Sequence, residues 1–282
     1  MTLKIGTSIG MLNPRHFLNV ALAAERCGYE SLWMPEHLIF PQAMGGSPFA
    51  DAEYPPVPPQ TPLFDVFAYL SFLAAQTSRI RLGTNVYLLG LRHPFIAARA
   101  VQTLDIVSDG RAELGVGAGW LRTEWQAAGL DPATRGRRLD EALGVCKRLW
   151  TEASVQHAGE FYAFDAVRFE PKPVQRPHPP IHVGGASDAA LRRVARHAQG
   201  WYGIGYTPES IAPVLARLRK ALRAENRDLE DIEIITGGAA RNREELARWE
   251  AVGVTRLVVT PWERGSEAVA ALERFAEMAQ LQ

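Results

Sequence analysis

Cysteine is nearly absent: the 282 residues contain two, Cys27 and Cys146. Two thiols cannot build a disulfide scaffold, a cysteine-based zinc site or an iron–sulfur cluster, and their scarcity suits a reducing cytoplasm. Net charge is absent as well. Basic and acidic side chains number 31 each, which leaves no electrostatic reason to expect nucleic acid or an anionic membrane as partner. No apolar run approaches the ~18 residues of a membrane span. The opening Met1-Thr2-Leu3-Lys4-Ile5-Gly6 enters a strand-like run with no signal- or transit-peptide character. The expectation is a cytoplasmic protein folded as a single domain over 1–282.

What is present is a repeating pattern. Strand-like runs at 3–9, 31–34, 80–88, 112–116, 180–183, 201–204, 232–236 and 256–260 alternate with helix-like runs. The helical stretches are 14–27, 63–77, 94–107, 137–150, 188–198, 208–224, 243–252 and 266–279. Strict β-then-α alternation predicts a parallel sheet, and eight such units in about 250 residues predict an α/β chain folded as a (β/α)8 TIM barrel. A doubly wound open sheet usually has fewer strands. Two segments interrupt the repeat. A proline-rich insertion, 40–62, follows the second strand, and a second insertion, 151–179, precedes the fifth, with 155–162 patterned as a small hairpin. Long loops in a compact domain are usually functional lids or interface segments.

On such a barrel the chemistry lies at the C-terminal ends of the strands. Ser8 ends the first strand, Glu36 and His37 follow the second, and Asn85 to Leu89 close the third. Gly115-Val116-Gly117-Ala118-Gly119-Trp120 follows the fourth and Gly184-Gly185-Ala186-Ser187 the fifth. The last of these reads either as a tight turn with Ser187 capping a helix or as a cradle whose free amides hold a phosphate. Asp188 beside it would repel that phosphate. The glycine series is G-x-G-x-G rather than the G-x-G-x-x-G of dinucleotide binding. It reads as room for a flat ring against the backbone, or as no more than a crowded turn. His37 is the leading catalytic candidate, because an imidazole moves protons near neutral pH and the neighbouring Glu36 can orient it. His93 reads as a helix-entry residue. His178 and His182 are separated by Pro179-Pro180 and are not a helical metal pair, so no metal is assigned. The four lysines, Lys4, Lys147, Lys172 and Lys220, all miss the strand ends where a Schiff-base enzyme would need one.

With these residues in view, the chain resembles the bacterial-luciferase-like family of flavin and deazaflavin oxidoreductases, above all the branch that uses coenzyme F420. The resemblance rests on Glu30-Ser31-Leu32-Trp33-Met34-Pro35-Glu36-His37, Arg79-Ile80-Arg81-Leu82-Gly83-Thr84-Asn85-Val86, Arg92-His93-Pro94, Leu114 to Trp120 and Pro179 to Gly185. It spans residues 1 to about 205. The resemblance implies a ring in the barrel mouth against Gly117 and Ala118, its phosphate on Gly184, Gly185, Ala186 and Ser187. It also implies a non-prolyl cis peptide at Asn85–Val86. His37 would stand beside the reactive ring position, with Glu36 as its acidic partner. Arg135, Arg137 and Arg138 are candidates for the anionic tail of F420, or else belong to a solvated helix start. Ser8 and Trp120 fall to the substrate pocket. Sugar-phosphate dehydrogenases of the family carry a catalytic glutamate where this chain has Trp120, so glucose-6-phosphate oxidation is not expected and an apolar or aromatic substrate is. Trp33 is either a wall of the ring pocket or core, with core favoured. The function implied is hydride transfer between F420 and a small organic molecule. The alternatives are an FMN-dependent monooxygenase supplied by a separate reductase and a flavin-binding barrel without turnover. A homodimer is expected from the family alone.

Overall fold

Strands that are apolar on both faces must be covered on both faces, which in parallel sheets is achieved by helices outside and packed side chains inside. The computed structural model describes residues 3–47 and 57–281 and realises this as a closed parallel barrel of eight strands. In chain order the elements are β1 (Lys4–Ser8), α1 (Phe17–Arg26), β2 (Ser31–Met34), α2 (Val66–Gln76), β3 (Arg81–Thr84) and α3 (Pro94–Val107). Then come β4 (Ala112–Val116), α4 (Arg122–Ala127), α5 (Arg135–Thr151), the hairpin β5 (Val155–Ala158) and β6 (Ala163–Val167), β7 (Ile181–Gly184) and α6 (Asp188–His197). The chain closes with β8 (Gly200–Gly203), α7 (Ala212–Arg223), β9 (Glu233–Gly237), α8 (Arg243–Ala251), β10 (Arg256–Val259) and α9 (Ala268–Ala279). Neighbours run β1-β10-β9-β8-β7-β4-β3-β2, so the hairpin is a side excursion between the fourth and fifth barrel strands.

The expected TIM barrel and both insertions are therefore present, although 48–56 of the first insertion, with residues 1, 2 and 282, lies outside the described residues. Local boundaries differ for identifiable reasons. The third strand, expected over 80–88, leaves its ladder after Thr84 at a cis Asn85–Val86 peptide bond. Tyr87 alone returns to pair with Val116. Helix α2 starts at Val66 rather than 63 because Asp65 caps it, its carboxylate accepting from the Ala68 amide at 2.8 Å. Helix α7 starts at Ala212 because Thr207 and Ser210 first close a turn of their own. Short α4 was not anticipated. His93, expected at a helix entry, caps α3, and Ser187 caps α6, as one of the two readings of its turn has it.

Inside the barrel the side chains form two levels. At the N-terminal end lies an ion cluster: buried Glu113 takes Arg256, Arg81 and His182, and Arg256 also reaches Glu30 and Glu233. Burial by itself would drive the Glu113 proton on. The charge of Arg256, the hydrogen bond and charge of His182 and the charge of Arg81 outweigh it and hold the carboxyl well below the usual carboxylate range. Above the cluster sits Trp33, fully buried with Tyr202, Ile235 and Val258. Its ring meets those of His182 and Tyr202 edge-on at 5.6 and 5.2 Å, and its Nε1 donates to Ser31 Oγ. Trp33 is core, and it plugs the barrel between floor and mouth.

Candidate active site

Side chains from the C-terminal ends of separate strands converge above Trp33. Ser8 ends β1, Asn85 follows β3 and Tyr202 lies in β8; Asn85 Nδ2 donates to Ser8 Oγ at 3.3 Å and to Tyr202 Oη at 3.1 Å. Burial raises the Tyr202 phenol, which stays neutral and able to accept. Asn85 Oδ1 is buried with no hydrogen-bond partner among the described residues. A buried carbonyl oxygen left bare costs free energy on the order of 1–3 kcal/mol until a donor meets it. Val86, next along, is flanked by two glycines. A Cβ on Gly117 would stand 2.6 Å from Val86 Cγ2, and one on Gly184 would stand 3.0 Å from its Cγ1. These glycines thus leave space for Val86 itself as well as for anything resting on it. Ala118 and Ala186 are half-buried beside them and pack against the core.

His37 stands where β2 opens into the first insertion, but its carboxylate partner is not the one expected. Its Nδ1 lies 2.8 Å from Glu124 Oε2, and Glu124 is fully buried on α4. The other oxygen of Glu124 accepts the backbone amides of Leu38, at 2.6 Å, and Ile39, at 3.4 Å. Glu36 turns the other way. It pairs with Arg92 at 2.6 Å and accepts the Leu88 amide at 2.9 Å. Consecutive residues of an extended segment point to opposite sides, so Glu36 and His37 cannot share one partner's space. The assignment of Glu36 as orienter of His37 is corrected accordingly. Burial is the largest influence on Glu36 and lifts its carboxyl above the ordinary value, against the pull of Arg92 and the Leu88 amide. The His37 ring lies 4.7 Å from Phe40 and 5.7 Å, edge-on, from Trp120, so Trp120 walls the same side of the mouth as the imidazole.

On the opposite rim, Gly185 has a φ of +104°, which lets the chain turn sharply into α6, and Ser187 Oγ accepts the Ala190 amide at 3.2 Å. Asp188, which would repel an anion at this rim, pairs with Arg217 at 2.5 Å on the exposed face of α6. The arginines of α5 are more committed than expected. Arg137 pairs with Glu160 of the hairpin turn, and the guanidinium of Arg138 lies 4.4 Å over the Phe161 ring. Arg135 donates to Pro132 O.

Two features escaped the sequence reading. Glu124 is 87 positions from His37 and sits in a six-residue helix too short to show a period, so nothing local marks it. Glu113 did leave a signal: a carboxylate inside a strand buried at every residue requires buried partners. Glu113, His182 and Glu233 offer ligand atoms within 4.8 Å of one another, but Arg256 is bonded to both glutamates and supplies the counter-charge there.

Comparison with known proteins agrees with this architecture. An uncharacterized protein of Mycobacterium tuberculosis is 31% identical over 278 residues, covering 93% of each chain. The FMNH(2)-dependent dimethylsulfone monooxygenase of Pseudomonas putida is 33% identical over 179 residues, which are 62% of this chain and 49% of that protein, about half its length. Among solved structures, an F420-dependent secondary alcohol dehydrogenase in complex with an F420-acetone adduct superposes with a TM-score of 0.79 at 16% identity, covering 99% of this chain and 98% of that one. Monooxygenase RslO1 from Streptomyces bottropensis superposes with a TM-score of 0.77 at 22% identity, covering 99% of both; at these identities the likeness is one of fold. The family model for luciferase-like monooxygenase matches residues 4–279, and with the closed barrel in hand the chain belongs to that family of oxidoreductases.

Proposed function

We propose that this protein is a coenzyme F420-dependent oxidoreductase that moves a hydride between the deazaflavin and a small, largely apolar alcohol or carbonyl compound. The observation that carries the reading is His37. Its Nδ1 is tied down by a buried carboxylate, while Nε2 has no partner among the described residues. Hydride transfer at an alcohol or carbonyl carbon must be matched by a proton at its oxygen, and a held imidazole can accept or return it. The bare Asn85 Oδ1 and the glycines that make way for Val86 fit a flat group with its own hydrogen-bond donors. Asn85, Val86, Gly117 and Ala118 would hold the ring, and Gly184, Gly185, Ala186 and Ser187 its phosphate. When bound, that group supplies the hydride chemistry; the protein orients it, shields it and handles the proton. Ser8 and Trp120 would line the substrate side, and the aromatic wall of Trp120 and Phe40 favours an apolar substrate over a sugar phosphate.

A second reading is favoured by the 33% identity to the FMNH(2)-dependent enzyme: reduced FMN with oxygen, the reductant delivered by a separate reductase. Arg137, engaged with Glu160, is less available to an F420 tail than its place on α5 suggests, which leaves this alternative its strongest structural support. Titrating the purified protein with each cofactor and following fluorescence quenching separates the two. Saturable binding of F420 in the micromolar range or tighter supports the first reading, whereas submicromolar FMN binding without an F420 response replaces it by the second.

A further inference from the structure

We propose that Glu124 is a positioning residue that fixes the tautomer of His37, so that the proton of the neutral ring resides on Nδ1 and the lone pair of Nε2 is presented for proton transfer. The role given to Nε2 rests on the hydride-transfer reading; the tautomer itself does not.

The tautomer follows from donors and acceptors. A carboxylate only accepts, and a neutral imidazole has one N–H and one lone pair. Glu124 is fully buried and its Oε1 already takes the Leu38 and Ile39 amides. Its Oε2, 2.8 Å from His37 Nδ1, therefore needs a donor there. The ring satisfies it only with the proton on Nδ1. The opposite arrangement exists in the same molecule. His182 faces Glu113 through Nε2 at 2.8 Å, and its Nδ1 is buried without a partner, so its proton belongs on Nε2. His178 Nδ1 faces the Pro179 carbonyl at 2.8 Å and belongs with His37. In the oxidising direction, Nε2 of His37 takes the hydroxyl proton while the adjacent carbon gives its hydrogen with the bonding pair to the oxidised cofactor, leaving a carbonyl; in reverse the protonated ring returns that proton.

Glu124→Gln is the informative change. The amide oxygen still accepts from Leu38 and Ile39, so the start of the loop stays tied. The amide NH2 now faces Nδ1 and can only donate, which forces the ring proton to Nε2. The tautomers are read directly by long-range 1H–15N correlation on cofactor-free protein labelled with 15N-histidine, at about pH 9, some two units above the ordinary imidazole value of ~6.5. His37→Gln assigns the signal, and His178 and His182 serve as internal references. The expected result is Nδ1–H at His37 in the native protein and Nε2–H in Glu124→Gln. Nε2–H in the native protein overturns the proposal without recourse to any variant, as does the same tautomer in both proteins. In the loaded enzyme, Glu124→Gln is expected to lower kcat about 100-fold with KM little changed. Because the spectrum needs no cofactor, preference for FMN over F420 would end the functional reading and leave this one standing.

Discussion

One glutamate–histidine pair lies at the floor of the barrel and another at its mouth, and the contrast between them separates stability from chemistry. At the floor, Glu113 and His182 are both sealed, and Arg256 and Arg81 complete the cluster. At the mouth, Glu124 and His37 meet at the same 2.8 Å, but the second ring nitrogen of His37 is left without a partner among the described residues. Partner identity and distance do not distinguish the two. What distinguishes them is the atom left over: shut in the core at the floor, open to a ligand at the mouth.

Arg256→Met should separate floor from mouth most strongly. Removing Arg256 takes from buried Glu113 the largest of its counter-charges and leaves it Arg81 and His182, which should cost about 3–5 kcal/mol of stability, measured by denaturant unfolding, with the mouth unchanged if the protein is studied below its melting temperature. The same variant tests the acid limb. Because the folded Glu113 value lies well below the unfolded ~4.3, its contribution is complete above that value and disappears as pH falls toward the folded one. Unfolding curves taken from about pH 6 downward should lose stability steeply in the native protein and less steeply in Arg256→Met.

At the mouth the order reverses. His37→Ala should lower kcat by roughly 10²–10⁴-fold and, because it takes the donor from the buried Oε2 of Glu124, cost about 1–3 kcal/mol of stability; a loss of stability with activity intact would make His37 another floor-type histidine. Gly117→Ala, whose new methyl must displace Val86, should weaken cofactor binding about tenfold, equivalent to ~1.4 kcal/mol, in the same fluorescence titration. The smallest effect is expected at Glu36→Gln, about 1 kcal/mol or less, since the amide keeps an acceptor for the Leu88 amide and removes a buried charge. Its pH signature has the opposite sign to that of Glu113. Glu36 lies above its ordinary value, so its contribution is present below ~4.3 and lost as pH rises through the folded value; the variant should lack that decline.

The frame of this protein was legible from its sequence, because eight repeats of a two-period run and a 3.6-period run leave few other closed arrangements. The turn at Gly184 to Ser187 was legible for the same local reason, as was the cap at His93. Pairings across the barrel were not. Glu36 was assigned to His37 because they are adjacent, yet alternation along an extended chain sends neighbours apart, and the true partner arrives from α4 on another strand's loop. The engagement of Arg137 with Glu160 was equally hidden, since it depends on how the hairpin folds back over α5.

Trp33 has a consequence for traffic. With the indole filling the lumen and an ion cluster beneath it, the mouth is closed from below among the described residues. Whatever binds deepest has to enter before its companion and depart after it, so a ring seated against Val86 would exchange, or be returned to its starting redox state, only once the molecule above it has left.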